Sequence, residues 1–217
     1  MNPEFIEARD LPDAWFQAIA RILDKGVEYT VERGSFAGQK RREFDYITIH
    51  IKHPGTRPLI PEIPAHLGIP APVSMDYVED YLPYLMTDVK MENEQYTYGE
   101  RISLSMNKVI KMYKEQGSGT NQAIMEIGQP KDIDLSDPPC LRLIDTRIRY
   151  GKLHFIIYFR SWDLWGGFPA NLAGLQLMKE YMAGEIGVED GEIIASSKGL
   201  HLYEYSWDLA RLRRGIK

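Results

Sequence analysis

The chain has 217 residues, 44% hydrophobic and 26% charged, which is enough apolar material for one compact globular domain with a substantial core. A net charge of −5 supplies no basic field of the kind that draws a protein to nucleic acid, and no apolar run reaches the length of a membrane span. The one cysteine excludes an intrachain disulfide and suits a reducing compartment; Glu4, Glu7, Asp10 and Asp13 interrupt the N-terminal stretch, which does not read as a signal peptide, so a cytoplasmic protein is expected.

Asp10 caps a first helix, with Pro12 in its opening turn, an apolar face at Trp15, Ile19, Ile22 and Leu23, and a stop at Gly26. Residues 32–42 combine glycines with Arg33, Lys40, Arg41 and Arg42. Such a loop is either a solvated turn or a phosphate grip, since glycine lets backbone N–H groups approach an anion. Ile47, Ile49 and Ile51 alternate, so residues 44–51 read as a strand. Six prolines between 54 and 72 argue against regular structure there. Tyr77, Val78, Tyr81, Leu82 and Leu85 recur at helical spacing over 75–86, with a kink expected at Pro83 and Glu79 on the same segment. Tyr98-Gly99 precedes a helix with the face Ile102, Met106, Val109, Ile110 and Tyr113, which Gly117-Ser118-Gly119 ends. Asn121 and Gln122 open a strand through Ile127.

Cys140 follows Asp137-Pro138-Pro139 and leads into an apolar run, 141–149, that pairs with 152–159 as a hairpin turning at Tyr150-Gly151. That hairpin brings Cys140 next to Arg160. A lone cysteine is commonly an inert core residue, whereas a nucleophilic one needs a thiolate, which a guanidinium favours. After Phe159 comes a dense set of polar groups where a strand meets the helix 168–183. The plain reading of Asp163 there is a cap, with the glycines turning. Residues 192–197 form a further strand, alternation puts His201 and Tyr203 on one face, and Trp207 to Leu212 form a last helix.

The pattern Arg160-Ser161-x-Asp163-x-x-x-Gly167-x-Pro169-x-Asn171, with Pro139-Cys140 before it and His201-x-Tyr203 after it, resembles the thymidylate synthase family. The likeness covers residues 98–203 well and 15–42 loosely, the latter through Leu23-Asp24-Lys25-Gly26 ahead of Arg33. It implies an α/β fold of the α+β type, a mixed sheet flanked by helices, and a homodimer packed sheet against sheet. It implies reductive methylation of dUMP to dTMP, with methylene-tetrahydrofolate or methylene-tetrahydromethanopterin as carbon donor. Cys140 would add to C6, Arg160 would lower the thiol pKa and hold phosphate with Arg33 and Ser161, and Asn171 and Asp163 would read and position uracil. His201 and Tyr203 would hold the sugar hydroxyl, Tyr98 would assist loss of the C5 proton, and Glu79 is a candidate for the water-organising glutamate. Asn121 and Gln122 stand where many members carry arginines donated to the partner's phosphate, so Lys40, Arg41 or Arg42 are alternative sources of charge. The shortened 53–72 region points to an archaeal-type branch. A pyrimidine-nucleotide hydroxymethylase and a non-catalytic nucleotide-binding protein remain as rivals.

Overall fold

The computed structural model describes residues 1–216 except Ser35 and Asn93; Ser35, in the glycine-and-arginine loop, lies outside the described residues. Five strands and three helices frame the larger part: β1 (Pro3–Ala8), α1 (Leu11–Lys25), β4 (Tyr46–Ile51), α2 (Met75–Met86), α3 (Tyr98–Gln116), β5 (Ile124–Glu126), β6 (Leu141–Arg149) and β7 (Lys152–Phe159). With β9 (Glu189–Ser197) the strands form a six-stranded mixed sheet in the order β1-β4-β9-β7-β6-β5. A second, four-stranded sheet runs β2 (Val27–Thr30), β3 (Lys40–Glu43), β10 (Leu200–Tyr203), β8 (Trp162–Asp163). Mixed sheets flanked by helices are the α+β arrangement expected above.

The local reasons hold up element by element. Asp10 accepts from Asp13 N–H and caps α1, and Ser74 and Thr97 do the same for α2 and α3. Tyr150 and Gly151 both take positive φ, 55° and 74°, the turn that lets β6 and β7 pair with their natural twist. Gly99 has a different reason to be glycine: a Cβ there would sit 1.9 Å from the Thr87 carbonyl oxygen, where the end of α2 crosses the start of α3. Residues 53–72 hold only one 3-10 turn, Ala65–Leu67.

Alternate residues of the strands face the helices. Ile47, Ile49 and Ile51 of β4, Phe155, Ile157 and Phe159 of β7, and Ile193 and Ala195 of β9 are all buried. Those of β7 and β9 pack under α4 (Gly167–Ile186), which is buried along Phe168, Leu172, Leu175, Met178 and Met182, while β4 packs against α1. α4 also buries Lys179, whose ammonium lies 2.7 Å from Asp190. No helix of the described residues is long and apolar enough to cross a membrane.

Two expectations change in detail. The basic stretch was expected as loop through residue 42, yet Lys40–Glu43 is strand β3, held between β2 and β10. The strand placed at 44–51 begins at Tyr46, because the Phe44 N–H turns away to the Leu200 carbonyl.

Candidate active site

One cleft of about 380 Å³ opens where the two sheets meet. It is lined by Arg33, Gly34 and Phe36 from the β2–β3 loop, Arg41 from β3, and residues 135–138 with Cys140. Arg160, Ser161 and Asp163 line the next wall, and His201 and Tyr203 from β10 close it. Eight residues singled out in the sequence therefore share one space: Arg33, Arg41, Cys140, Arg160, Ser161, Asp163, His201 and Tyr203.

The hairpin does the first part of this assembly. Leu141 sits opposite Phe159, and the Arg160 N–H donates to the Cys140 carbonyl at 2.8 Å. The Arg160 guanidinium turns back onto the loop before the cysteine, donating to the Pro138 and Pro139 carbonyls, with Asp137 3.7 Å away. The loop is anchored further back by Asp132, which is 2% exposed and accepts from Gln129 N–H, Arg101 and Arg142. Burial works to raise the Asp132 pKa, but those donors outweigh it and hold the carboxyl below its usual value.

Cys140 is half-buried, and Arg160 acts on it in the direction expected, lowering the thiol pKa, but against a larger opposing effect. Burial pushes the thiol pKa up, Arg160 opposes it, Asp137 adds to the rise, and the net direction is upward. Arg160 therefore does not by itself yield a thiolate at neutral pH; desolvation wins over one guanidinium already engaged with backbone carbonyls. Tyr98 lies beneath, 7% exposed, accepting from the Leu141 N–H at 3.3 Å. Burial raises its pKa well above the ordinary phenol value, so it stays protonated. It borders the backbone beside Cys140 without lining the cleft.

Asp163 joins both readings given to it. Its carboxylate accepts from Trp165, Gly166 and Gly167 N–H at 3.0–3.3 Å, which closes the turn into α4, while its side chain also lines the cleft. Asn171, one turn into α4, has its carboxamide held at both ends. Its Oδ1 accepts from the Trp162 indole N–H at 3.1 Å and its Nδ2 donates to the Tyr81 hydroxyl at 3.1 Å. Trp162 is itself fixed by stacking on Phe159, with centroids 4.0 Å apart. Because an indole N–H only donates, the oxygen must face it, and the orientation of the amide follows.

At the other end, His201 is 2% exposed, and burial with the nearby Arg41 pushes its pKa down to about 3. Its Nδ1 lies 2.8 Å from the Gly199 carbonyl. Tyr203 accepts from Arg41 at 2.7 Å, and its own pKa is pushed up to about 12, mainly by burial.

The three basic residues of β3 part ways. Arg41 enters the cleft, Arg42 turns out to Glu28 and the Leu23 carbonyl, and Lys40 stands 3.8 Å from Glu204. Glu79 is exposed on α2 and is not brought to the cleft. Asn121 and Gln122 are exposed ahead of β5 and line no part of it. Trp162, Asp132 and Arg101 went unmarked in the sequence, and Tyr81 was marked only for its helical spacing. Only Arg101, three residues after Tyr98 on one helix face, had a spacing that could have flagged it.

A model of the family described as thymidylate synthase matches residues 88–214. A protein of Methanosarcina acetivorans named "Putative thymidylate synthase" is 33% identical over 210 residues, 94% of this chain and 91% of its own length. A Methanococcoides burtonii protein of the same name is 30% identical, covering 98% and 95%. A Listeria monocytogenes protein named "Thymidylate synthase" is 35% identical over 106 residues, 48% of this chain and 33% of its own. With the fold, the cysteine hairpin and the Arg-Ser-x-Asp turn already assembled around one cleft, these matches settle the family: the chain belongs to the thymidylate synthase family.

Proposed function

We propose that this chain methylates dUMP reductively to dTMP, taking the carbon from a methylene-pterin of the tetrahydrofolate or tetrahydromethanopterin type. One observation carries the reading. A cysteine, three arginines and a neutral histidine–tyrosine pair face a single cleft, and its volume lies within the range of small-molecule sites.

Arg33 and Arg160, with Ser161, hold the phosphate, since guanidinium forks match phosphate oxygens. Asn171 reads the uracil edge: Nδ2 has a second N–H for O4, and Oδ1 has a second lone pair for N3–H. Asp163 keeps that helix start in place. His201, neutral at any working pH, accepts from the sugar hydroxyl beside Tyr203. Cys140 Sγ then bonds to C6 as its proton passes to water in the open cleft, and the displaced C5–C6 π electrons make C5 nucleophilic. Arg160 steadies the sulfur charge as it develops rather than in the resting state. C5 would gain its carbon and lose its proton to water in the cleft; the bond from that carbon to the donor would then break, a hydride from the same donor would complete the methyl group, and departure of the sulfur from C6 would restore the ring double bond. Tyr98 acts in that proton loss as a neutral phenol, by hydrogen bonding.

When bound, the pterin supplies the one-carbon unit and, as in ordinary family members, the reducing equivalents. The side chains that suit it are Tyr77, Tyr81 and Tyr84 of α2, which with Asp80 line a groove of about 280 Å³. Flat aromatic faces beside a carboxylate match a planar ring system carrying N–H donors.

A homodimer is supported by the sheet face turned away from the helices. Thr48, Ser196, Tyr158 and Leu143 form one cross-strand row there, and His50, Ile194, Ile156 and Asp145 another, all half-buried or exposed. Sedimentation should give a dimer, and Ile156→Glu should give monomers; a monomeric wild type refutes it.

The test of function is tritium release to water from C5-tritiated dUMP, run without pterin, with methylene-tetrahydrofolate and with methylene-tetrahydromethanopterin. Release stimulated by one donor, with dTMP as product, is the expected result. Hydroxymethyl product would favour the hydroxymethylase, and dUMP binding without release in any arm would overturn the enzymatic reading.

A further inference from the structure

Arg41 is the one basic residue of β3 that reaches the cleft, and its recorded partner there is a phenol, whereas Arg42 and Lys40 face carboxylates. It stands directly opposite Tyr203 in the β3–β10 register. Its Nη2 lies 2.7 Å from the Tyr203 oxygen. A guanidinium only donates, so the phenol oxygen is the acceptor and the phenol's own hydrogen must point elsewhere.

The imidazole of His201 stands edge-on to that phenol, centroids 4.7 Å apart and planes at 85°. Its Nδ1 is 2.8 Å from the Gly199 carbonyl, which can only accept. Nδ1 therefore carries the ring hydrogen and Nε2 carries the lone pair. Among the described residues, Nε2 is buried and has no partner. A buried acceptor without a donor costs free energy, so the site is built for a group that supplies one.

We propose that Arg41 is a positioning residue that sets a one-way hydrogen-bond chain across the sugar end of the cleft, so that the ligand must present a free hydroxyl there. The chain runs from Arg41 to Tyr203, from Tyr203 to the ligand oxygen, from that hydroxyl to His201 Nε2, and from Nδ1 to the Gly199 carbonyl. The ligand atom must accept from one neighbour and donate to the other. A hydroxyl does both; an ether or phosphodiester oxygen cannot donate, and hydrogen or fluorine does neither. That His201 and Tyr203 hold a sugar hydroxyl is what the family resemblance already implies; what Arg41 adds is the direction of the chain, which disfavours a nucleotide phosphorylated or joined through that oxygen. The inference rests on the proposed function in taking the occupant of this end to be a nucleotide sugar.

The test is calorimetric binding of dUMP, 2′,3′-dideoxy-UMP and deoxyuridine to wild type, Arg41→Met, Tyr203→Phe and the double variant. Wild type should prefer dUMP to the dideoxy nucleotide by about tenfold or more. Arg41→Met and Tyr203→Phe should each narrow that preference by about threefold or more, with no further narrowing in the double variant. Arg41→Gln, which keeps a donor, should recover part of it. If Arg41→Met is poorly folded, Arg41→Gln and Tyr203→Phe carry the comparison. The loss in Arg41→Met should persist with deoxyuridine. A loss confined to phosphorylated ligands would make Arg41 a phosphate residue and overturn the proposal. An unchanged preference in Arg41→Met, or none in wild type, would overturn it while leaving the proposed function standing. Failure of folded wild type to bind dUMP at all would overturn both.

Discussion

Trp162→Phe should relax the choice between uracil and cytosine. Asn171 can present donor then acceptor to uracil, or, turned over, the opposite pattern to cytosine. In this chain the amide is not free to turn. Its Oδ1 accepts from the Trp162 N–H at 3.1 Å, and reversal would set two N–H donors against each other. Tyr81, at the other end, adapts to either orientation because a hydroxyl donates or accepts. The lock therefore resides in Trp162. Losing its hydrogen bond and stranding a buried donor costs about 1–3 kcal/mol, roughly five- to hundredfold in affinity. Phenylalanine keeps most of the stacking on Phe159 and Phe168 while removing the N–H. Calorimetry should show the dCMP-to-dUMP ratio of Kd values falling by roughly that factor, chiefly through tighter dCMP, with Tyr81→Phe nearly unchanged. A Trp162→Phe protein that binds dUMP normally and rejects dCMP as strongly as wild type would refute the argument.

Arg160→Met should raise the Cys140 pKa further, because Arg160 is the main group opposing burial; iodoacetamide labelling of this single thiol at pH 8 should slow roughly tenfold. Asp132→Ala leaves Arg101, whose side chain is 7% exposed, without its carboxylate, at a cost of about 3–5 kcal/mol, which a thermal melt would read as a drop on the order of 10 °C. His201, held down to about 3 when folded against about 6.5 unfolded, contributes stability that is fully present above pH 6.5 and is lost as pH falls toward 3. Its charged neighbours Arg41 and Glu43 do not reverse that sign, since the buried ring faces a cation at one side and, at 3.9 Å, a carboxyl whose own pKa burial raises. His201→Gln should flatten denaturant midpoints between pH 6.5 and 4 relative to wild type; equal slopes would sink the assignment.

Periodicity alone located the helices and the β6–β7 hairpin, since their signals are local: Asp10 and Thr97 cap within three residues, and Tyr150-Gly151 admits few other turns. β3 escaped because Lys40-Arg41-Arg42-Glu43 has no apolar alternation at all; its pairing comes from β2 and from β10, some 160 residues away. β8, two residues long, is defined only by its parallel contact with β10. For the site, residue types were legible but their partners were not. Asp163 could be read as a cap or as a lining residue, and only the three N–H groups it accepts from reveal that it is both. For the thiol, the guanidinium's lowering effect was legible because a hairpin implies it, whereas the depth of burial that outweighs it was not.

The hairpin also has a consequence for the order of assembly. Cys140 and Arg160 sit at the open end of a unit whose two strands are joined by a two-residue turn, so they need only short-range chain closure to meet. His201 and Tyr203 reach the same cleft only after β10 threads between β3 and β8, a contact between opposite ends of the chain. During refolding the Cys140 sulfur should therefore be caged beside the Arg160 guanidinium well before the β10 wall of the cleft exists. Labelling the lone thiol at successive times would catch an early protection step that precedes the recovery of nucleotide affinity.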